Sequence, residues 1–223
     1  KTNIVVNTNL DNISGTATDK NRAEYAVGQA YALRAQGFFD LLRLYGQKYI
    51  DGEGLGIVLP TKFDPGALMP RATLAETEAQ IEADFTKALT MMTTRASMDV
   101  PSNKVELSIN ALKALMSRFY LYKGDYAKVR SLVGDIEGKY TVVGKELFQS
   151  SFDFTMRGSS ANAIFELEVG TDSALGTNSY NQILSANGYK NLVANASSYD
   201  MYSAEDVRRN LLTLVSATAT TKT

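Results

Sequence analysis

The spacing of apolar residues in Ala30–Tyr49 constrains the fold of this chain more than any other feature. Apolar and small residues recur there every three or four positions, at Ala30, Leu33, Gly37, Leu41 and Leu44. This period predicts an amphipathic helix from about Asn21 to Tyr45, with Asp19 or Asn21 as its N-cap. A glycine inside a helix costs roughly 0.5–1 kcal/mol relative to alanine, so Gly37 predicts a close approach by a second helix. The chain should therefore build a packed helical domain.

A second helix is marked by a capping box. Thr73 and Glu76 have the T-x-x-E spacing of such a box, and the helix that they open is predicted to end near Thr93. Its apolar residues share one face, whereas Glu82 and Asp84 are interpreted as members of a solvated face.

Two more helices are predicted after Asn103, joined by Gly124-Asp125-Tyr126. Gly124 suits the left-handed C-cap position, and Asp125 can cap the helix that follows. This spacing is typical of a tetratricopeptide hairpin. Any antiparallel pair of helices can imitate a single repeat, so a generic helical hairpin remains the alternative.

The segment Gly46–Pro70 is long for a loop in a compact domain, and such loops are usually functional or ordered by a neighbour. It contains the sequence DGEGLG at Asp51–Gly56. Leu55 and Ile57 break the alternating oxygen ligands of a calcium loop, and no Lys-Ser/Thr pair closes a phosphate loop. We therefore interpret the glycines as residues of turns.

The composition changes after Gly138. Ile164–Val169, with the sequence IFELEV, alternates in the manner of a strand. Gly170–Asn191 is rich in Asn, Ser, Gly and Thr, yet it contains Tyr180 and Tyr189. These two rings can pack locally or face a ligand as stacking surfaces.

Cysteine and histidine are both absent from the 223 residues. Their absence excludes disulfides, thiolate nucleophiles, Ser-His-Asp triads and most zinc sites. A net charge of −1 gives no electrostatic support to a nucleic-acid partner. Enzymes built on paired carboxylates or on lysine remain possible, but no pair of carboxylates stands out. We predict a protein that is not an enzyme, with no catalytic residue, cofactor or metal.

Five blocks of the sequence occur in an order typical of one family. The blocks are Leu33-Arg34-Ala35 with Phe38-Phe39, Leu41-Leu42 and Leu44-Tyr45-Gly46; Pro70-Arg71 with Thr73, Ile81, Asp84 and Ala88; the hairpin from Ala111 to Val129; Ala163-Ile164-Phe165-Glu166; and Asp206 with Arg208. On these blocks, the chain resembles the SusD-like (RagB/SusD) family of outer-membrane nutrient-binding lipoproteins from Bacteroidetes.

The resemblance implies a mainly α fold, with tetratricopeptide-like helical hairpins at about 19–137 and a smaller irregular part at about 138–223 that contains short β-strands. We expect one SusD-like domain over 1–223, incomplete because family members are considerably longer. The resemblance also implies that Arg34 is buried or half-buried. A lone buried guanidinium would be costly, so Arg34 should bind a carboxylate or helix-end carbonyls and act as a stability residue.

The resemblance further implies a function at the surface of the outer membrane, through a lipid anchor outside this sequence. The protein would capture a glycan or peptide and deliver it to a SusC-like TonB-dependent transporter. Tyr180, Asn181 and Tyr189 are the predicted ligand-binding residues, because they follow the predicted strand on a polar loop. The alternative is a tetratricopeptide-type adaptor that binds a protein partner through its helical face.

Overall fold

Helices form most of the regular structure, which confirms the predicted mainly α fold. The computed structural model describes residues 2–48, 53–153, 158, 160–170, 175–184, 188–189 and 195–212. The chain divides into two compact units, Lys1–Tyr140 and Thr141–Thr223. The predicted single domain over 1–223 stays a prediction.

The first unit contains five α-helices in its described residues. They are α1 (Thr2–Val6), α2 (Ala17–Tyr45), α3 (Leu74–Thr94), α4 (Ile109–Lys123) and α5 (Tyr126–Gly134), with short 3-10 turns at Leu10–Asn12 and Ala96–Met98. Helix α2 packs along α3, α4 packs against α5, and α1 lies against α2.

The second unit has shorter elements. Its described helices are α6 (Lys145–Phe148), α7 (Tyr180–Leu184) and α8 (Ala196–Asp200), with 3-10 turns at Ser150–Phe152, Gly176–Asn178 and Val207–Leu211. The strand predicted at Ile164–Val169 is wrong, because none of the described residues pairs with it. Leu167 and Val169 are 76% and 56% exposed. Alternation alone does not make a strand, which needs a neighbour for its backbone groups.

Helix α2 begins at Ala17, four residues before the predicted Asn21. The N-cap is Thr16, whose hydroxyl accepts a hydrogen bond from the Asp19 N–H at 3.2 Å. The Asp19 carboxylate accepts one in return from the Thr16 N–H at 2.8 Å. The prediction of Asp19 or Asn21 as N-cap is therefore wrong, and Asp19 is the third residue of a capping box. The capping box at Thr73 is confirmed.

The α4–α5 hairpin has the predicted turn. Gly124 ends α4 in the left-handed conformation, with φ of 83°, and Asp125 caps α5. Helix α4 begins at Ile109, later than the predicted start after Asn103. The reason is Ser108, whose hydroxyl accepts a hydrogen bond at 3.2 Å from the backbone N–H three residues on.

The face of α2 that packs against its neighbours differs from the predicted stripe. Leu33, Leu41 and Leu44 are 38%, 43% and 73% exposed. The buried positions follow the same three-and-four spacing on another side of the helix, at Tyr25, Gly28, Ala32, Ala35, Phe39 and Leu42. Apolar residues recur every three or four positions on both faces of α2, so periodicity alone could not identify the buried face. The small residues of the buried face allow close packing of helices.

The close approach between α2 and α3 occurs at Gly28. A Cβ atom on Gly28 would lie 2.8 Å from Met92 Cγ and 3.4 Å from the Ala88 carbonyl oxygen. The packing role predicted for Gly37 is wrong, because nothing in the described part of the chain lies within 4 Å of a Cβ built there.

A buried ion pair joins α2 to α3. Arg34 Nε and Nη2 donate to the two carboxylate oxygens of Asp84, each at 2.7 Å. Arg34 Nη1 also donates to the Thr61 carbonyl at 3.1 Å and to Asn3 Oδ1 at 3.3 Å. The predicted burial and carboxylate partner of Arg34 are confirmed. Asp84 does not lie on a solvated face as predicted, since its side chain is only 3% exposed.

Glu82 joins the α4–α5 hairpin to α3. Its carboxylate accepts hydrogen bonds from Lys123 Nζ at 2.7 Å, Lys128 Nζ at 2.5 Å and the Tyr120 hydroxyl at 3.1 Å. The bonds from Lys123 and Lys128 lower the pKa of Glu82 to about 2. Its side chain is 27% exposed and bound to α4 and α5, so Glu82 is not a residue of a solvated face as predicted.

The contrast between Gly28 and Gly37 predicts opposite effects of alanine on stability. Gly37→Ala should stabilise the protein by roughly 0.5–1 kcal/mol, because an exposed helix position gains propensity. Gly28→Ala should destabilise it by roughly 1–3 kcal/mol, because the new methyl group meets Met92 and the Ala88 backbone. Urea unfolding followed by circular dichroism measures both. Equal stabilisation by the two substitutions would contradict the packing described here.

The low pKa of Glu82 predicts a pH-dependent contribution to stability. Its folded-state pKa of about 2 lies below the ordinary 4.5, so the contribution is complete above pH 4.5 and is lost as the pH falls toward 2. After allowance for partial exposure, Glu82→Gln should cost about 2 kcal/mol near neutral pH and progressively less below pH 4.5.

Unfolding free energies measured between pH 2.5 and pH 7 test this dependence. Glu137→Gln is the matched control, because Glu137 is an exposed carboxylate of the same unit. A Glu82→Gln difference that stayed constant over the whole range would contradict the proposed ion-pair network.

Candidate functional site

The loop between α2 and α3 pairs with itself before α3 begins. Leu55 and Thr73 form an isolated antiparallel bridge. The Gly56 N–H donates to the Ala72 carbonyl at 2.8 Å, and the Ala72 N–H donates to the Ile57 carbonyl at 2.9 Å. The described part of the loop is therefore ordered by pairing between its own two arms, which the expectation of a functional loop or one ordered by a neighbour did not include.

Gly56 is required by a close approach to α3. A Cβ atom there would overlap Thr77 Oγ1. The Thr77 hydroxyl in turn accepts a hydrogen bond at 3.2 Å from the Ile57 N–H. This contact gives a structural reason for the last glycine of DGEGLG. Gly54 and Gly56 flank the bridge at Leu55 and do not lie in turns, so the interpretation of these two glycines as turn residues is wrong. Asp51 and Gly52 lie outside the described residues.

Arg71 ties the loop to the C-terminal end of α2. Its Nη2 donates to the carbonyl oxygens of Tyr45 at 2.7 Å and Gly56 at 2.6 Å, and its Nε donates to Gly56 at 2.9 Å. A guanidinium has enough N–H donors to bind several carbonyls at once, so one side chain holds both segments in place.

A groove of about 580 Å³ lies between this loop and the outer side of α3. Its apolar lining consists of Leu59, Met69, Pro70, Ala72, Ala79 and Ala83. The polar lining residues are already engaged: Arg71 binds carbonyls, Glu76 belongs to the capping box, and Gln80 donates to Asp84 at 3.0 Å. The lining contains no aromatic ring, so the groove suits apolar side chains better than the face of a sugar.

The predicted ligand-binding residues belong to the second unit. Tyr180 and Asn181 form the start of α7, so their predicted position on a loop is wrong. The structure describes the backbone of these two residues but not their side chains. The Tyr189 side chain is 53% exposed, and its backbone N–H donates to the Gln182 carbonyl at 2.7 Å. This bond brings Tyr189 next to α7, while the ligand-binding role of all three residues stays a prediction.

The second unit also contains two arginine–tyrosine stacks that the sequence analysis missed. The Arg208 guanidinium lies 4.9 Å from the centre of the Tyr202 ring, and that of Arg209 lies 4.2 Å from the centre of the Tyr199 ring. Asp206, the N-cap of the following 3-10 turn, binds Arg208 at 2.6 Å. The available signal was a pair of tyrosines three residues apart, followed closely by two adjacent arginines.

The described residues contain neither a membrane-spanning helix nor a metal-binding cluster of acidic side chains. No helix there has the length and apolar character needed to cross a membrane. No group of three or more acidic side chains there is placed to hold a metal ion.

Comparison with solved structures identifies relatives of this fold. A putative sugar binding protein from Bacteroides vulgatus ATCC 8482 has 26% identity and a TM-score of 0.68, over 85% of this chain and 43% of that chain. A SusD superfamily protein from the same organism has 25% identity and a TM-score of 0.63, over 80% and 40%. Another, from Bacteroides thetaiotaomicron VPI-5482, has 25% identity and a TM-score of 0.59, over 77% and 37%.

The chain thus spans about two fifths of the length of these structures, with which it shares a helical, tetratricopeptide-type fold. No curated protein matches the chain. A SusD-like family model, described as starch-binding and associating with the outer membrane, matches residues 3–121. The match covers more than half of the sequence, including the Arg34–Asp84 pair and the groove. The chain therefore belongs to the SusD-like family of starch-binding, outer-membrane-associated proteins.

Proposed function

We propose that this protein captures a glycan at the cell surface and delivers it to a SusC-like TonB-dependent transporter. The observation that carries the proposal is the family-model match over residues 3–121, since that family is described as starch-binding and associating with the outer membrane. The similar structure from Bacteroides vulgatus, named a putative sugar binding protein, adds support. The proposed role is binding without catalysis.

The two units have different tasks in this proposal. The first unit is the scaffold, because its buried core and the ion pairs of Arg34 with Asp84 and of Lys123 with Glu82 join its helices. The glycan is bound in the second unit by Tyr180, Asn181 and Tyr189. A tyrosine ring can cover the apolar face of a sugar, while a carboxamide exchanges hydrogen bonds with its hydroxyl groups. The side chain of Tyr189 is 53% exposed and therefore accessible to a ligand, which supports this assignment.

The groove favours a second candidate function. Its apolar lining and its position along α3 suit an extended peptide with apolar side chains, as expected of an adaptor that binds a protein partner through its helical part. Ala79 lines the groove, so Ala79→Phe should obstruct peptide binding there. The same substitution should leave glycan binding in the second unit unchanged.

Glycan capture predicts a specific loss of affinity on removal of Tyr189. Tyr189→Ala should weaken binding of a glycan ligand about 3- to 10-fold, because an aromatic contact contributes roughly 0.5–1.5 kcal/mol. Isothermal titration calorimetry with starch and other polysaccharides measures the effect. Tyr126→Ala is the matched control, since Tyr126 is 60% exposed in the first unit and should not affect glycan affinity.

Unchanged affinity of Tyr189→Ala for every glycan that the parent binds would remove Tyr189 from the site. Failure of the parent to bind any glycan, together with peptide binding that Ala79→Phe abolishes, would favour the adaptor. Co-purification also separates the two functions. A TonB-dependent barrel as the partner would favour glycan capture, and a soluble helical protein would favour the adaptor.

A further inference from the structure

Arg209 is a half-buried cation without a carboxylate partner in the part of the chain that the structure describes. Its Nη1 donates to the Tyr202 carbonyl at 3.3 Å, and its guanidinium stacks on the Tyr199 ring at 4.2 Å. These contacts fix the orientation of the side chain. They do not neutralise its charge.

The neighbouring Arg208 has the opposite environment. Its side chain is 61% exposed, yet its Nη2 lies 2.6 Å from Asp206 Oδ2 and its Nε lies 3.0 Å from Asp206 Oδ1. This bidentate pairing lowers the pKa of Asp206 to about 2, so the pair is ionised at neutral pH. The more exposed arginine is thus paired with a carboxylate, whereas the less exposed one has no such partner among the described residues.

The described carboxylates nearest to Arg209 do not form an ion pair with it. Asp200 and Glu205 are nearest to it in the sequence, and α6, which packs against the 3-10 turn Val207–Leu211, carries Glu146. All three residues are exposed, and none forms an ion pair with Arg209 among the described contacts.

An arginine in this state is suited to bind an anion. Partial burial weakens its hydration, and its N–H donors form a planar fork that matches carboxylate and sulfate oxygens. The Tyr199 ring covers one side of the guanidinium, and among the described contacts only Nη1 of Arg209 donates a hydrogen bond, to the Tyr202 carbonyl. A charge-assisted hydrogen bond from the other nitrogens would bind an anion strongly. The tyrosine ring beside the fork adds an apolar surface on which a sugar could rest.

We propose that Arg209, whose guanidinium lies over the Tyr199 ring, binds an acidic oxyanion of the glycan, either a sugar carboxylate or a sulfate ester. The proposal rests on the proposed function, because it names the class of glycan that the second unit recognises. The ligand is then an anionic polysaccharide, bound through a charge-assisted bidentate contact beside an aromatic ring.

The test compares acidic and neutral polysaccharides on the full chain. Polygalacturonate supplies carboxylates, sulfated dextran supplies sulfates, and starch and unmodified dextran supply neither. The protein should bind at least one acidic polysaccharide, and Arg209→Gln should weaken that binding about tenfold or more. Arg208→Gln removes the same charge from the neighbouring residue and should change the affinity less than about twofold, since Arg208 is already paired with Asp206.

Two further measurements make the result independent of folding defects. Arg209→Lys retains the charge but loses the planar fork, so it should bind the acidic polysaccharide several-fold more weakly than the parent. The affinity of the parent should fall as NaCl rises from about 50 to 500 mM, with a smaller decrease for Arg209→Gln.

Binding of polygalacturonate alone would identify a carboxylate, and binding of sulfated dextran alone would identify a sulfate. Parental affinity in both Arg209→Gln and Arg209→Lys would overturn the proposal. So would binding confined to starch or dextran, although glycan capture itself would then stand. Failure to bind any of the four polysaccharides would count against both the anionic ligand and the proposed capture of glycans.

Discussion

The buried ion pair between Arg34 and Asp84 is the interaction on which the arrangement of the first unit depends. The two side chains are 8% and 3% exposed and meet through two hydrogen bonds of 2.7 Å, so water could not solvate either charge if its partner were removed. The pair restricts the rotation of α2 about its own axis. With Arg34 directed at α3, Gly28 lies against Met92, and the leucines on the other side of α2 remain exposed.

The same arginine connects the helices to the loop that builds the groove. Arg34 Nη1 donates to the Thr61 carbonyl. Arg71 donates to the Tyr45 carbonyl at the end of α2, and the Thr77 hydroxyl on α3 accepts a hydrogen bond from the Ile57 N–H. The polar side chains of Arg34, Arg71 and Thr77 bind backbone carbonyls, a backbone N–H group and the buried Asp84. This use of polar groups is typical of a scaffold. The proposed function assigns ligand recognition to the second unit, where the Tyr189 side chain is exposed and Arg209 has no carboxylate partner among the described residues.

Local signals were predictable from sequence, and contacts between distant segments were not. The capping box at Thr73 depends on residues three apart, so it could be identified directly. The buried face of α2 could not, since its outer leucines have the same period as the small residues that pack on α3. Residues Ile164–Val169 alternate in sequence but do not form a strand, and no described residue pairs with them as a strand. Burial of Arg34 followed from the family resemblance alone, and the stacking of Arg209 depends on how the chain folds back after α8.

A double-mutant cycle on the ion pair tests the central claim most directly. Arg34→Met and Asp84→Leu should each destabilise the protein by about 3–5 kcal/mol in urea unfolding, because each leaves an uncompensated buried charge. The double variant should be destabilised by much less than the sum, with a coupling of at least about 2 kcal/mol, because it buries no charge at either position. Effects that add to within about 0.5 kcal/mol would contradict the account and show that the two residues stabilise the scaffold independently.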